Sequence, residues 1–213
     1  RRRRSPERKS ASSRQTANCG VKVADMDDTD SHRAVAPVDG EAPVLSGVLA
    51  PDLRVLFVTF EPGPTDVRLR HHQARRNNQF WRLLKEAGLT PRQLAPEEDW
   101  RLPEWGLGIL GAVRRRRAGN GDSAGAGPGE ASPRLVELMR RQPPAILAYT
   151  GKGVYLRAAG LSSADWGRQP GSIFTGVPDV VLPSPSGMAR MAFVAKLRHY
   201  VDLAHLVGQL DAA

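Results

Sequence analysis

The chain of 213 residues holds a single cysteine, Cys19. One thiol excludes a disulfide framework and a cysteine-built zinc site, and it suits a cytoplasmic setting. No apolar stretch approaches the roughly 18 residues of a membrane span. The opening Arg1 to Arg4 is not followed by an apolar segment, so it does not read as a secretory signal. Aromatic residues make up only 6% of the chain, and residues 1–50 contain none. That segment is rich in Ser, Ala, Asp and Arg, and it cannot bury enough apolar surface to offset its ordering entropy. A disordered tail is expected over 1–50. No group of His, Asp and Glu has metal-ligand spacing, and no G-x-G-x-x-G joins the first strand to the first helix. Neither a metal nor a cofactor is expected, and a dinucleotide-binding protein ranks last among the readings.

What is abundant is positive charge. Lys and Arg number 31 against 22 Asp and Glu. Residues 1–50 hold 9 basic and 7 acidic side chains, which leaves 22 and 15 in residues 51–213. The excess therefore belongs to the part that folds, and it points to a polyanion such as nucleic acid.

Residues 51–213 are expected to form one domain. Arg54 to Phe60 is a buried-type strand. Asn77 or Asn78 caps a helix to about Ala87, with Gly88 as its stop. Leu107 to Val113 is either a second strand or a loop lining a site. Residues 114–131 turn basic and then Gly-rich, the mark of a flexible surface loop. Ser132-Pro133 opens a helix with Leu135, Leu138 and Met139 on one face. Ala145 to Tyr149 reads as a strand and Gly151 to Ala159 as a helix, and Ile173 to Val181 contains the last strand or hairpin. Phe193, Leu197, Tyr200, Val201, Ala204 and Val207 recur at helical spacing to the C-terminus. Strands alternating with helices imply an α/β fold of three layers, αβα, around a mostly parallel sheet.

Two loops concentrate the chemistry. Phe60-Glu61-Pro62-Gly63-Pro64-Thr65-Asp66 follows the first strand, and Leu182-Pro183-Ser184-Pro185-Ser186-Gly187-Met188-Ala189-Arg190 follows the last. Ligands of open α/β sheets bind outside the carboxyl ends of the strands, so the two loops predict one composite site. In sequence order, Thr59 to Gly63 stands where the mismatch-specific uracil-DNA glycosylases carry G-I-N-P-G. Asn78-Gln79-Phe80-Trp81 resembles their N-R-F-W, and Ala87 to Leu94 resembles A-G-x-T-x-R-Q-L. Trp166-Gly167-Arg168-Gln169 has a counterpart, and Leu182 to Arg190 resembles L-P-N-P-S-G-L-S-R. The chain thus resembles that family and its thymine-DNA glycosylase relatives over about residues 53–210.

The resemblance implies a uracil-DNA glycosylase-like fold and a monofunctional glycosylase that flips a base out of mispaired duplex DNA. Base flipping is least costly at a mispair. Its partner is double-stranded DNA holding a mispaired or damaged base. The protein is expected to act as a monomer, off the membrane and close to bacterial DNA. The alternative is a DNA-binding module without chemistry, because the usual water-positioning Asn is here Glu61. Glu61 and Asp66 are the catalytic candidates, and a turn-capping role for either is the competing reading. Phe60, Pro62, Gly63, His72, Gln73 and Ser184 are assigned to the base pocket; Gln73 stands where the family has its stacking aromatic. His71 and His72 can stack on the base in its place or, as surface histidines flanked by Arg70 and Arg75, meet phosphate. Gly187, Met188, Ala189 and Arg190 match the wedge that fills the emptied stack. Ser186, Arg75, Arg76 and Arg115 are candidate phosphate contacts, whereas Trp81 and Trp166 read as core packing.

Overall fold

In the computed structural model, residues 45–114 and 131–211 are described. The run Val55–Phe60 forms β1, and Leu107–Val113 forms β2, which settles that segment as a strand. Ile146–Thr150 is β3, Gly167–Arg168 is β4 and Asp179–Leu182 is β5. The helices are α1 (Pro64–Leu69), α2 (Phe80–Glu86), α3 (Pro133–Arg141), α4 (Lys152–Ala159) and α5 (Phe193–Asp211), and a 3-10 segment spans Pro96–Trp105. No helix among the described residues is long and apolar enough to cross a membrane.

The sheet runs in the order β2-β1-β3-β5-β4. The first four strands are parallel, and β4 joins the edge antiparallel to β5. Side chains alternate between faces along a strand, and here both faces are covered. Val55, Phe57, Ile109, Ile146, Ala148 and Val180 point into a core closed by Phe80, Leu83 and Leu84 of α2 and by Tyr200, Leu203 and Val207 of α5. Leu56, Val58, Leu110, Leu147, Tyr149 and Val181 point the other way, onto Leu135 of α3 and onto Val154, Tyr155 and Ala158 of α4. The result is the three-layer αβα arrangement.

Local chemistry explains most boundaries. Ser132 Oγ accepts the Leu135 amide at 3.3 Å, and Pro133 follows at the first helical position. Asn78 Oδ1 accepts the Phe80 amide at 2.9 Å at the entrance of α2. α4 ends at Gly160 with φ 70, the left-handed conformation that glycine adopts without penalty.

The stretch Ile173 to Val181 contains the last strand as expected: Ile173 to Pro178 turns, and Asp179–Leu182 then enters the sheet. Two expectations change. The packed chain begins before residue 51: Leu45, Ser46 and Val48 are buried, and Val48 exchanges both backbone hydrogen bonds with Ile109 of β2. α1 and the 3-10 segment stand where no element was foreseen. The rest of the expected tail, nearly all of the 114–131 loop and the candidate Arg115 lie outside the described residues.

Candidate functional site

The carboxyl ends of β1, β3 and β5 open on one cavity of about 430 Å³. Three loops build it, and each is shaped by identifiable residues.

The first loop leaves β1 through a register shift between Thr59 and Phe60, which lets the Glu61 amide donate to the Val113 carbonyl at 2.8 Å. A Cβ at Gly111 would stand 2.6 Å from Pro62 Cδ, so only glycine in β2 lets the Pro62 turn lie against the sheet. Asp66, in the first turn of α1, accepts the Gly63 amide on Oδ2 at 3.2 Å and the Ala74 amide on Oδ1 at 2.8 Å. Its side chain ties the loop to the segment after α1. Glu61 has no such anchor. Its carboxylate stands 3.7 Å from Arg114 Nε, with both side chains more than half exposed, a pairing of little energetic weight.

The segment between α1 and α2 is pinned from below. The His72 amide donates to Asp99 Oδ2 at 2.9 Å, and His72 Nε2 lies 2.7 Å from the Ser46 carbonyl. A carbonyl only accepts, so the Nε2 atom carries a proton. Burial pushes the His72 pKa below its ordinary value, while Asp99 and Asp66 pull the other way. Gln73 holds φ 53, and its Oε1 accepts from Asn78 Nδ2 at 2.5 Å. A non-glycine residue in that region stores of order 1–3 kcal/mol of strain, and such strain gathers at functional sites.

The second loop is laced to the start of α2. Gln79 donates its amide to the Pro185 carbonyl at 2.8 Å, and Asn78 bridges Ser186. Lys196, reaching up from α5 with its residue 1% exposed, donates to Gln79 Oε1 at 2.9 Å and to the Ser186 carbonyl at 2.8 Å. Desolvation lowers its pKa. A Cβ at Gly187 would fall on the Asn77 carbonyl oxygen, so the close approach requires glycine. Ser186 Oγ accepts the Met188 amide at 3.3 Å, and the Met188 side chain stands out at 78% exposure.

The third loop is the turn from β3 into α4. Gly151 sits at φ 139, and a Cβ there would lie 3.6 Å from Ser184 Cβ. A Cβ on Gly153 would lie 3.6 Å from the Phe60 ring. Lys152, between them, holds its Nζ 4.6 Å from the centroid of the Trp166 ring.

The structure brings most of the sequence candidates together. Phe60, Glu61, Pro62, Asp66, His72, Gln73, Arg75, Ser184, Ser186, Ala189 and Arg190 line the one cavity. Gly63 is buried beneath the turn, with Arg75 Nη2 lying 3.5 Å from where its Cβ would be. Gly187 and Met188 stand outside the rim. Arg76 is exposed and away from the cavity.

One reading is corrected. His72 is no surface residue at 3% exposure; the Ser46 carbonyl and Asp99 enclose it. Trp166 packs half-buried against the core as expected and also lines the cavity, and Trp81 is core. Sequence reading also passed over Lys196 and Lys152. Lys196 lies four residues before Tyr200 on the stripe that Leu203 and Val207 continue, so a lysine on a buried stripe was the available signal. Lys152 directly follows a glycine at a strand end, the place where ligands bind in this class of fold.

Among the described residues no group of three or more His, Cys, Asp or Glu is placed to hold a metal. What the cavity offers is carboxylates on one wall, ammonium groups on another, and an apolar residue projecting at its mouth.

Comparison with known proteins agrees with this architecture. The family model of the uracil DNA glycosylase superfamily matches residues 46–205. The solution NMR structure of a candidate uracil DNA glycosylase from Methanosarcina acetivorans superposes with a TM-score of 0.53. The two sequences are 18% identical, and the match covers 78% of this chain and 97% of the other. At that identity the likeness is one of fold.

Proposed function

The chain belongs to the uracil DNA glycosylase superfamily, and from that premise we propose that it is a monofunctional DNA glycosylase. It hydrolyses the C1′–N1 bond of uracil flipped from mispaired double-stranded DNA and leaves an abasic site. The observation that carries this reading is the union of the two loops: Glu61, Asp66 and Ser184 share one cavity, and Met188 projects beside it.

The chemistry needs three services. A flipped base leaves a gap in the stack, and an apolar side chain from the minor-groove side can fill it. Met188 is shaped for this, being flexible, exposed and fixed at its backbone by Ser186. The transition state carries positive charge on the sugar, so a carboxylate nearby stabilises it and can take a proton from the attacking water. Glu61 is the better placed of the two carboxylates for that task, since Asp66 has both oxygens engaged with backbone amides. Asp66 then holds the loop that presents Glu61. Arg75 and Arg190, exposed at the cavity rim, supply positive charge for the flanking phosphates.

The mismatch preference, like the closeness to the mismatch-specific and thymine-DNA branches, belongs to this proposal. It is supported by the ordered motifs and by the lower cost of flipping an unpaired base. Incubation with duplexes holding one G·U or A·U pair, followed by alkali, tests it. Strand cleavage at G·U well above A·U is the expected result. Steep salt-dependent binding with no alkali-labile product on any uracil substrate would replace the enzyme with a DNA-binding module.

A further inference from the structure

One cation in the cavity wall is used neither by the loop architecture nor by the water-activating step. Lys152 opens α4 in the turn that touches both other loops, with Ser184 against Gly151 and Phe60 against Gly153. Its Nζ lies over the Trp166 ring, 4.6 Å from the centroid, and both residues line the cavity. Among the described residues no carboxylate and no carbonyl is bonded to Nζ. The second buried-side lysine differs, since Lys196 is committed to Gln79 and the Ser186 carbonyl. An aromatic face holds an ammonium in place without neutralising it. Lys152 therefore has N–H donors left for a ligand inside the cavity.

The proposed reaction creates a demand for such a group. When C1′–N1 breaks, its electron pair stays on the base, and negative charge grows over N1 and the neighbouring carbonyl oxygen. A cation meeting that charge stabilises the transition state more than the bound substrate, and so it raises the rate rather than the affinity. From this we infer that Lys152 is the catalytic residue that receives the departing pyrimidine, the electrostatic counterpart of Glu61 on the sugar side. The inference rests on the glycosylase reading. The atoms balance: the water oxygen bonds to C1′, one water proton passes to Glu61, and the base leaves as its anion and takes that proton afterwards. Lys152 retains its protons throughout.

Leaving-group dependence provides the test. Single-turnover rates are measured for wild type, K152M and K152R on uracil and on 5-fluorouracil opposite guanine. Fluorine makes the departing anion more stable, so less help is needed there. The K152M rate on uracil should fall roughly 100-fold, as when one oxyanion donor is removed. On 5-fluorouracil the loss should stay under about tenfold. K152R should restore most of the uracil rate, which separates lost charge from lost folding. Binding to a duplex carrying a non-cleavable 2′-fluoroarabino-uridine should be unchanged in affinity and in salt slope. Equal losses on both bases overturn the inference, and so does a binding defect whose salt slope falls by about one, the mark of a phosphate contact. A K152M rate on uracil within about twofold of wild type overturns it as well. A wild-type protein inactive on every uracil substrate would instead remove the glycosylase reading itself.

Discussion

The two carboxylates of the first loop can be separated by substitution, because one is tied to the backbone and the other is not. E61Q removes a proton acceptor from a half-exposed side chain with no structural anchor. The excision rate should drop by about 10²–10³, while the thermal midpoint and the affinity for uncleaved duplex stay put. D66N replaces one acceptor oxygen by an NH2 group facing a backbone amide, Gly63 or Ala74. Leaving that amide unsatisfied should cost about 1–3 kcal/mol in urea unfolding, with activity lost through the loop. A D66N protein of wild-type stability and no activity, beside an active E61Q, would exchange the two roles. Glu61, Asp66 and Ser184 were legible because chemistry at a strand end is a local sequence signal. His72 was not. Its burial depends on Ser46, 26 residues earlier, and Asp99, 27 residues later, and Arg70, Arg75 and Arg76 beside it give the opposite local impression.

At the level of elements, the loop from Leu182 to Arg190 is held by contacts that a single methyl can undo. G187A would drive a Cβ onto the Asn77 carbonyl and part the bridge between Asn78 and Ser186. Excision from duplex should fall at least tenfold with a lower thermal midpoint, the size of effect that a misplacement of about 1 Å produces. M188A leaves the loop backbone intact and removes only its projecting side chain. It should slow excision from duplex about tenfold and leave excision from single-stranded uracil unchanged, since an unstacked base needs no plug. Equal slowing on both substrates would deny Met188 that role. The loop and its flanking strand were readable from the apolar run Val180-Val181 and the Pro/Ser/Gly cluster behind it. α1 and the 3-10 segment were not, because both are short and carry proline and charge in place of an apolar period. The antiparallel β4 has only two residues and gives no pattern at all.

Across the whole molecule, two buried titrating groups set opposing responses to pH. His72 has its pKa lowered by burial, so below the ordinary value of 6.5 the unfolded chain takes up protons that the folded one refuses. Its contribution is present above that pH and is lost on acidification, the loss ending once the pH is below the folded-state value. Asp179, completely buried, is pushed up to about 6 by desolvation, although Tyr149 and the Ile173 amide donate to it. Its contribution is full below 3.8 and is lost as pH rises through about 6. The two slopes cancel in part, so wild type alone hides them. The stability gap between wild type and H72N, from urea unfolding, should narrow from pH 7.5 to pH 5; a constant gap would mean that His72 does not titrate between folded and unfolded chains. The mostly parallel, doubly covered sheet was legible at this scale, whereas its strand order and the start of the folded region were not. Leu45 to Val48 is a short stretch behind a polar tail, and only tertiary contacts, the pairing of Val48 with Ile109 and of Ser46 with His72, distinguish it from a linker. The Val48 pairing has a consequence for solubility. β2 is an edge strand, and Val48 covers part of its free hydrogen-bonding side. A chain trimmed to begin at residue 51 would bare that side to a second copy, the arrangement from which edge-to-edge aggregation starts.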